Sequence, residues 1–190
     1  MNLITITKAP RLAVGGMKSH RGMEGMTLDV NLYLDGKLVG YGIDDGNGGG
    51  MYFNWEGYSP KLTPEESGRR ARANEDAVEQ YIVSLNLPPD VINNIGPEPF
   101  EMKQDLEHLI NEVVDNWQED KAQRAQFSRT AKGNVIFRMP GEAADKFRTV
   151  PLKNKSGHAF SVEQIKEFIN KKYLGAIFVE TFEQFSGKAA

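Results

Sequence analysis

The feature that most constrains this chain is an alternating apolar run that ends in a tight-turn signal. Apolar residues occupy every second position from Leu28 to Leu34, as in a strand with one buried face. Asp35-Gly36 follows, and this dipeptide favours a type I′ turn because both positions need positive φ. The sequence therefore predicts a β-hairpin. In a regular ladder its pairs are Leu34 with Lys37, Leu32 with Val39, Val30 with Tyr41 and Leu28 with Ile43.

A glycine-rich loop leaves this hairpin. Residues Asp44 to Gly50 form the run DDGNGGG, which indicates special backbone dihedrals, close approach by another group, or a mobile loop. Met51 to Trp55 then predicts a third strand, which makes an antiparallel meander. Gly40 and Gly42 are expected on the polar face of the hairpin, where they would leave little side-chain bulk.

Two stretches precede the hairpin. Leu3 to Lys8 alternates and predicts a first strand. Gly15 to Met26 is rich in glycine and methionine, and it predicts a flexible or tightly turned connection. Its Gly-Gly-Met-Lys-Ser sequence lacks the spacing of a phosphate-binding P-loop, in which glycine directly precedes lysine.

Two long helices are predicted after the meander. Thr63 is placed to cap the first helix, with Pro64 at its first position and Glu66 completing a capping box. This helix is expected to end near Asn86 and to bury Ala77, Val78, Tyr81, Ile82 and Leu85. After a connection that contains proline and glycine, the second helix is expected from Phe100 to about Ala131. Its apolar positions at helical spacing are Met102, Leu106, Leu109, Ile110, Val113 and Trp117.

The C-terminal part predicts a small ββαβ unit. Its strands are expected at Asn134 to Arg138, Lys146 to Leu152 and Ala176 to Phe182, with a helix from Ser161 to Tyr173. That helix is expected to bury Val162, Ile165, Phe168, Ile169 and Tyr173. The whole chain therefore predicts an α+β fold. Its parts are a meander with glycine-rich loops at 1–62, a region of two long helices at 63–132 and the ββαβ unit at 133–190, forming one core or two.

Composition limits the possible functions. The formal net charge of −3 provides no general attraction to nucleic acid. The chain has no cysteine, which excludes disulfides and thiol nucleophiles. Residues 1–7 are too short and too alternating for a signal peptide, and no run approaches transmembrane length. We therefore expect a soluble cytoplasmic protein that does not insert into a membrane.

The glycine-rich loop has three interpretations. A calcium loop would use Asp45, Asn47 and Glu56 at positions one, three and twelve, but Gly49 at position five and flanking strands do not fit an EF-hand. Alternatively, the glycine amides could converge on a phosphate, which the adjacent carboxylates of Asp44 and Asp45 would repel. A shaped loop that contacts another protein is the leading interpretation.

Other polar residues extend the set of candidates. If the two glycine-rich segments meet, the residues that would bind a ligand or partner are His20, Glu24, Asp44, Asp45, Gly46, Asn47, Gly48 and Gly49. His108 lies among acidic residues on the second helix and is expected to be solvated. A basic patch would comprise Lys146, Arg148, Lys153, Lys155, Lys171 and Lys172. No residue is assigned a catalytic role, and no cofactor is expected.

Several of these segments together carry a family resemblance. His20-Arg21-Gly22-Met23-Glu24-Gly25, the alternating strand, Asp35-Gly36-Lys37 and Asp44 to Gly49 resemble an N-terminal module of small phage and prophage accessory proteins, across roughly residues 1–56. The long helix followed by Asn134 to Arg138 is similar to the C-terminal part of such proteins. They have no established activity, so the resemblance implies a viral accessory origin and transfers no catalytic residues.

Three functional hypotheses follow. The leading one is a phage-encoded, non-enzymatic interaction protein that binds and modulates or inhibits a host protein or defence complex in the host cytoplasm. Its host-directed part comes from the resemblance alone. The second is a binder of a small ligand, nucleotide or metal ion, or an enzyme, that uses the glycine-rich loops. The third is a nucleic-acid binder that uses the C-terminal basic patch.

Overall fold

The structure is a computed structural model that describes residues 3–21, 26–92, 100–143 and 146–187. It confirms the α+β class. The chain divides into two compact units, Met1–Asp115 and Asn116–Ala190, and the boundary falls inside a long helix. The three-part division predicted from the sequence stays a prediction. None of the helices in the described ranges combines the length and apolar composition needed to cross a bilayer.

The first unit is built on a five-stranded antiparallel meander in chain order. Its strands are β1 (Leu3–Ile6), β2 (Ala9–Arg21), β3 (Met26–Leu34), β4 (Lys37–Asp44) and β5 (Tyr52–Trp55). Next come α1 (Pro64–Leu85), a short hairpin of β6 (Asp90–Ile92) with β7 (Phe100–Met102), and α2 (Leu106–Ala131), whose second half belongs to the second unit.

The predicted turn between β3 and β4 is confirmed, but the register changes beyond it. Asp35 and Gly36 have φ of 50° and 76°, and Leu34 pairs with Lys37. Val39 then forms a β-bulge, so the regular ladder predicted beyond the turn is wrong by one residue. The observed pairs are Tyr33 with Leu38, Leu32 with Gly40, Asn31 with Tyr41, Val30 with Gly42, Asp29 with Ile43 and Leu28 with Asp44.

The bulge places Gly40 and Gly42 on the buried face of the sheet, so the expected low-bulk polar face is wrong. Gly40 pairs with Trp55, and Gly42 pairs with Phe53. A methyl group added to Gly40 would lie 3.1 Å from the Trp55 ring, and one added to Gly42 would lie 3.2 Å from the Phe53 ring. The aromatic rings therefore cover the two glycines. Tyr41, expected to be buried, is instead 42% exposed.

Three strands, β2, β6 and β7, were not predicted from the sequence. The stretch expected as a turned connection belongs largely to β2, which pairs with β1 and β3. Its pattern is interrupted at a second bulge, where Gly16 has φ of 61° and lies against Asn31. The connection predicted before the second helix contains β6, and β7 occupies the first residues of the predicted helix, so that helix begins at Leu106 and not at Phe100.

Helix α1 is capped as predicted and packs on β4 and β5. Thr63 and Glu66 form the capping box. Ala77 is exposed, contrary to prediction. The row of α1 side chains that faces the sheet lies next to Ala77 on the helix surface and does not include it. The apolar core of the first unit comprises Ile6, Ala9, Leu12, Val14, Leu28, Val30, Leu32, Val39, Met51, Val78, Tyr81, Leu109, Ile110 and Val114.

Polar contacts fix α1 in place. Asn74, which is buried, donates to the carbonyl oxygen of Glu56 at the end of β5. The Tyr81 hydroxyl accepts a hydrogen bond from the backbone N–H of Arg11 at 3.2 Å. Nearer the start of α1, Gly57 is buried directly against the helix backbone. The helix and strand therefore approach more closely than a side chain at position 57 would allow.

The second unit is the predicted ββαβ arrangement followed by a short helix. It contains β8 (Asn134–Arg138), β9 (Arg148–Pro151), α3 (Val162–Lys172), β10 (Ile177–Phe178) and α4 (Phe182–Ser186), with the strand order β10-β8-β9. The predicted last strand is present but shorter than expected, since it ends at Phe178 and Thr181 caps α4. One core cluster contains Val135, Phe137, Ile165 and Ile169, and a second contains Ile136, Val179 and Phe185.

Candidate functional site

The glycine-rich loop is stabilised by hydrogen bonds between its own carboxylates and its backbone N–H groups. Asp44 Oδ1 accepts a hydrogen bond from the Gly46 N–H at 2.8 Å, and Asp45 Oδ1 accepts one from the Asn47 N–H at 3.1 Å. Gly46 and Gly48 have φ of 73° and 76°, values that favour glycine. The two carboxylates therefore shape successive turns of the loop.

The end of this loop is attached to α2. Glu107 Oε1 accepts a hydrogen bond from the backbone N–H of Met51 at 3.0 Å. A methyl group added to Gly50 would lie 2.9 Å from the same carboxylate, so glycine lets the side chain of Glu107 approach the backbone. This contact was not predictable from the sequence because it joins residues far apart in the chain.

His20, another member of the predicted glycine-loop site, lies on a different strand from the loop. His20 is exposed near the end of β2 and pairs with Thr27 of β3. Two strand spacings, about 10 Å, separate β2 from β4, where Asp44 ends the strand. Glu24 lies outside the described residues. The proposed cluster of His20 and Glu24 with the loop therefore stays a prediction.

The residues predicted to bind calcium do not form one continuous loop. Between Asp45 and Glu56 the chain contains β5, and the Glu56 N–H donates to the Val39 carbonyl at 2.7 Å. An EF-hand supplies its ligands from an uninterrupted twelve-residue loop. Within the described residues, no group of three or more His, Asp or Glu side chains is arranged to hold a metal ion.

A polar cleft of about 470 Å³ lies elsewhere in the first unit. Here His108 Nε2 lies 2.6 Å from Asp90 Oδ2, so the prediction that His108 is simply solvated is wrong. Lys8 Nζ lies 3.5 Å from the same oxygen and 3.1 Å from Glu112 Oε2. Gln104 Nε2 donates to Asp90 Oδ1 at 2.9 Å. The cluster joins the β1–β2 turn and β6 to α2.

The charges of this cluster stabilise one another. The hydrogen bond from His108, assisted by Lys8, holds the pKa of Asp90 below its ordinary value. The hydrogen bond to Glu112 raises the pKa of Lys8. His108 and Glu112 are four residues apart on α2 and therefore share one helix face, and Gln104 precedes the helix. Since these groups bind one another across three elements, we assign the cluster a structural role.

Several of the predicted basic residues lie beside carboxylates. Arg148 Nη2 lies 2.7 Å from Glu142 Oε1, and Lys171 Nζ lies 2.7 Å from Glu167 Oε1. The pKa of Glu142 is lowered by the backbone N–H of Met139 first and by Arg148 next. These cations are therefore already neutralised in part. Lys146, Lys153, Lys155 and Lys172 are exposed.

An apolar groove in the second unit is a further candidate site. It has a volume of about 470 Å³ and lies between β9, the loop after it and α3. Phe168 of α3, predicted to be buried, is 48% exposed at this groove. The lining residues are Val150, Pro151, Lys153, Asn154, Phe160, Gln164, Ile165 and Phe168. Lys153 was predicted to belong to a basic patch and Phe168 to a core, and the structure brings them together at this groove.

Comparison with known proteins found no matching family model, no matching curated protein and no matching solved structure.

Proposed function

We propose that this chain is a non-enzymatic interaction protein that binds another protein through the groove between β9 and α3. The observation that supports it is the half-exposed ring of Phe168 beside an apolar floor. Aromatic side chains at the centre of a concave surface often contribute most of the energy of a protein interface. Burying the exposed part of this ring, on the order of 100 Å², would contribute about 2.5 kcal/mol to binding.

The resemblance of residues 1–56 to phage accessory proteins suggests the kind of partner. We propose a host protein or defence complex in the host cytoplasm, which the chain modulates or inhibits. The backbone contacts of Asp44 and Asp45 favour an interaction surface over a catalytic site at the glycine-rich loop, because both carboxylates already stabilise its turns.

The same groove favours a protein partner over nucleic acid. A site that follows a phosphate backbone uses several unpaired cations along its length. Arg148 and Lys171 are instead paired with carboxylates, and the residues that line the groove are mainly apolar. Nucleic-acid binding through the basic patch remains the alternative that the experiment below must exclude.

The test is a pull-down from bacterial lysate with the tagged full chain and two matched variants. Phe168→Ala removes the exposed ring of the groove, whereas Leu174→Ala removes a side chain that is 91% exposed and outside the groove lining. We expect a stable partner with the parent chain and with Leu174→Ala, and its loss with Phe168→Ala. Circular dichroism must show that both variants remain folded. Recovery of no partner, or of nucleic acid alone, contradicts the proposal.

A further inference from the structure

We infer that the groove binds a partner segment in which a large apolar side chain lies next to one or more carboxylates. This inference rests on the proposed function and specifies the chemistry of the partner. The groove offers a ligand an apolar floor, amide hydrogen-bond donors and ammonium groups, and these groups determine which partner fits.

The floor of the groove fits an apolar side chain. Val150 and Phe160 pack on the core cluster from one side, and Ile165 of α3 belongs to that cluster. Phe168 is one helical turn from Gln164, so the two lie along the same side of α3. An apolar side chain placed here would be enclosed by strand, loop and helix.

The polar groups around this floor are hydrogen-bond donors. Asn154 Oδ1 accepts hydrogen bonds from the backbone N–H groups of Ser156 and His158, at 3.0 and 2.9 Å. Gln164 Oε1 accepts one from the Ser161 N–H at 2.9 Å, as part of the helix cap. Because both amide oxygens are engaged, each side chain has its NH₂ group to offer a ligand. Donors of this kind require acceptors on the partner.

The positive charge at the groove also favours carboxylates on the partner. Lys153 is the charged residue among the described lining residues. One turn beyond Phe168, the ammonium group of Lys172 lies 5.6 Å from the centre of that ring. Neither lysine forms an ion pair with a described residue. Two ammonium groups and two amide donors beside an apolar floor are complementary to a carboxylate adjoining an apolar side chain.

The partner is expected to bind through side chains. In the described part of the chain, β9 is the outer strand of its sheet and pairs with β8 alone. Pro151, at the end of β9, has no backbone N–H to donate to an added strand. The side-chain groups described above therefore provide the specificity.

The test selects peptides from a random 16-residue display library on the immobilised full chain. We expect enriched sequences to carry an aromatic or large aliphatic residue with Asp or Glu within a few positions. The most enriched peptide is then labelled, and its Kd is measured by fluorescence anisotropy beside a copy in which Asp and Glu are replaced by Asn and Gln. The neutral copy should bind about tenfold more weakly, with the difference reduced at high salt.

Matched variants connect that peptide to the groove. Phe168→Ala and the charge reversal Lys153→Glu/Lys172→Glu should each weaken binding by about tenfold. Leu174→Ala and the reversal Lys37→Glu/Lys61→Glu, which has the same net charge but lies on exposed positions of the first unit, should change it by less than about twofold.

The results separate this inference from the proposed function. If Phe168→Ala abolishes capture of a lysate partner but selection gives no acidic motif, or no peptide at all, the inference is overturned and the proposed function stands. If the neutral peptide binds equally well, the carboxylate is not recognised and the inference again fails. Binding of single-stranded DNA that depends on Phe168, or self-association of the chain lost in Phe168→Ala, identifies a different occupant and overturns both.

Discussion

Replacement of Gly57 by alanine tests how closely β5 and α1 approach each other. The added methyl group would overlap the carbonyl oxygen of Ser67 and lie 2.9 Å from both Cβ and the backbone nitrogen of Ala71. These atoms belong largely to the helix backbone, which cannot rotate away as a flexible side chain can. Gly57 does not have a positive φ, so the expected effect is one of space.

The magnitude follows from two opposing effects. Overpacking of a close-packed site costs about 1–3 kcal/mol, and contact with rigid backbone places this site near the upper end. Alanine also reduces the freedom of the unfolded chain, which returns about 0.4–1 kcal/mol. We therefore expect Gly57→Ala to lower the free energy of unfolding by about 2 kcal/mol. The control is Gly68→Ala on α1, where an added methyl group would meet nothing within 4 Å beyond the adjacent helix backbone, and stability should rise by about 0.5–1 kcal/mol.

The measurement is urea unfolding of the first unit, followed by tryptophan fluorescence. The chain has two tryptophans, and in a Trp117→Phe background the remaining one, Trp55, reports on the unit that contains Gly57. With a urea m-value of about 2 kcal/mol/M, the midpoints of the two alanine variants should differ by about 1.5 M. If Gly57→Ala is as stable as its parent, the close approach of β5 to α1 is refuted.

Other predictions concern single contacts. Thr63→Ala removes the side-chain acceptor of the α1 capping box and should lower stability by about 1 kcal/mol, whereas Thr63→Ser should retain most of it. Tyr81→Phe removes the acceptor of the Arg11 backbone N–H and should also lower the free energy of unfolding by about 1 kcal/mol. Unchanged stability would contradict this prediction. Because the pKa of Asp90 is lowered by His108, its contribution is present above the unfolded pKa and is lost as pH falls through the folded pKa. Asp90→Asn should therefore lose stability at pH 7 and show a weaker further loss in acid than the parent, and identical pH profiles would contradict this.

The parts of the fold that were predicted correctly depend on local chemistry. Asp35-Gly36 specifies its turn through two neighbouring dihedrals, and Thr63 with Glu66 specifies a helix start within a few residues. Ser161 with Gln164 does the same for α3. Such signals act over a single turn of chain, so the remainder of the fold does not alter them.

The parts that were missed depend on distant contacts. The bulge at Val39 coincides with a hydrogen bond from the N–H of Glu56, directly after β5, and no pattern within β3 and β4 indicates it. Phe168 has helical spacing with Ile165 and Ile169, both of which are buried. Spacing alone predicts that all three share the core, because it does not reveal how far the sheet extends beneath the helix. The groove was therefore not predictable as a site, although the sequence placed Lys153 in a basic patch and Phe168 in a core.

The bulge at Val39 also determines where β4 can change in length. Val39 stands between the pairs Tyr33–Leu38 and Leu32–Gly40, so deleting it would make those pairs consecutive. Gly40 would remain beneath the Trp55 ring, and the protein would lose the buried side chain of Val39. A deletion further along the strand would instead turn every later residue over to the opposite face. In related chains, a single-residue gap within this hairpin is therefore expected at the bulge, where evolution can shorten the strand and keep both faces of the sheet unchanged.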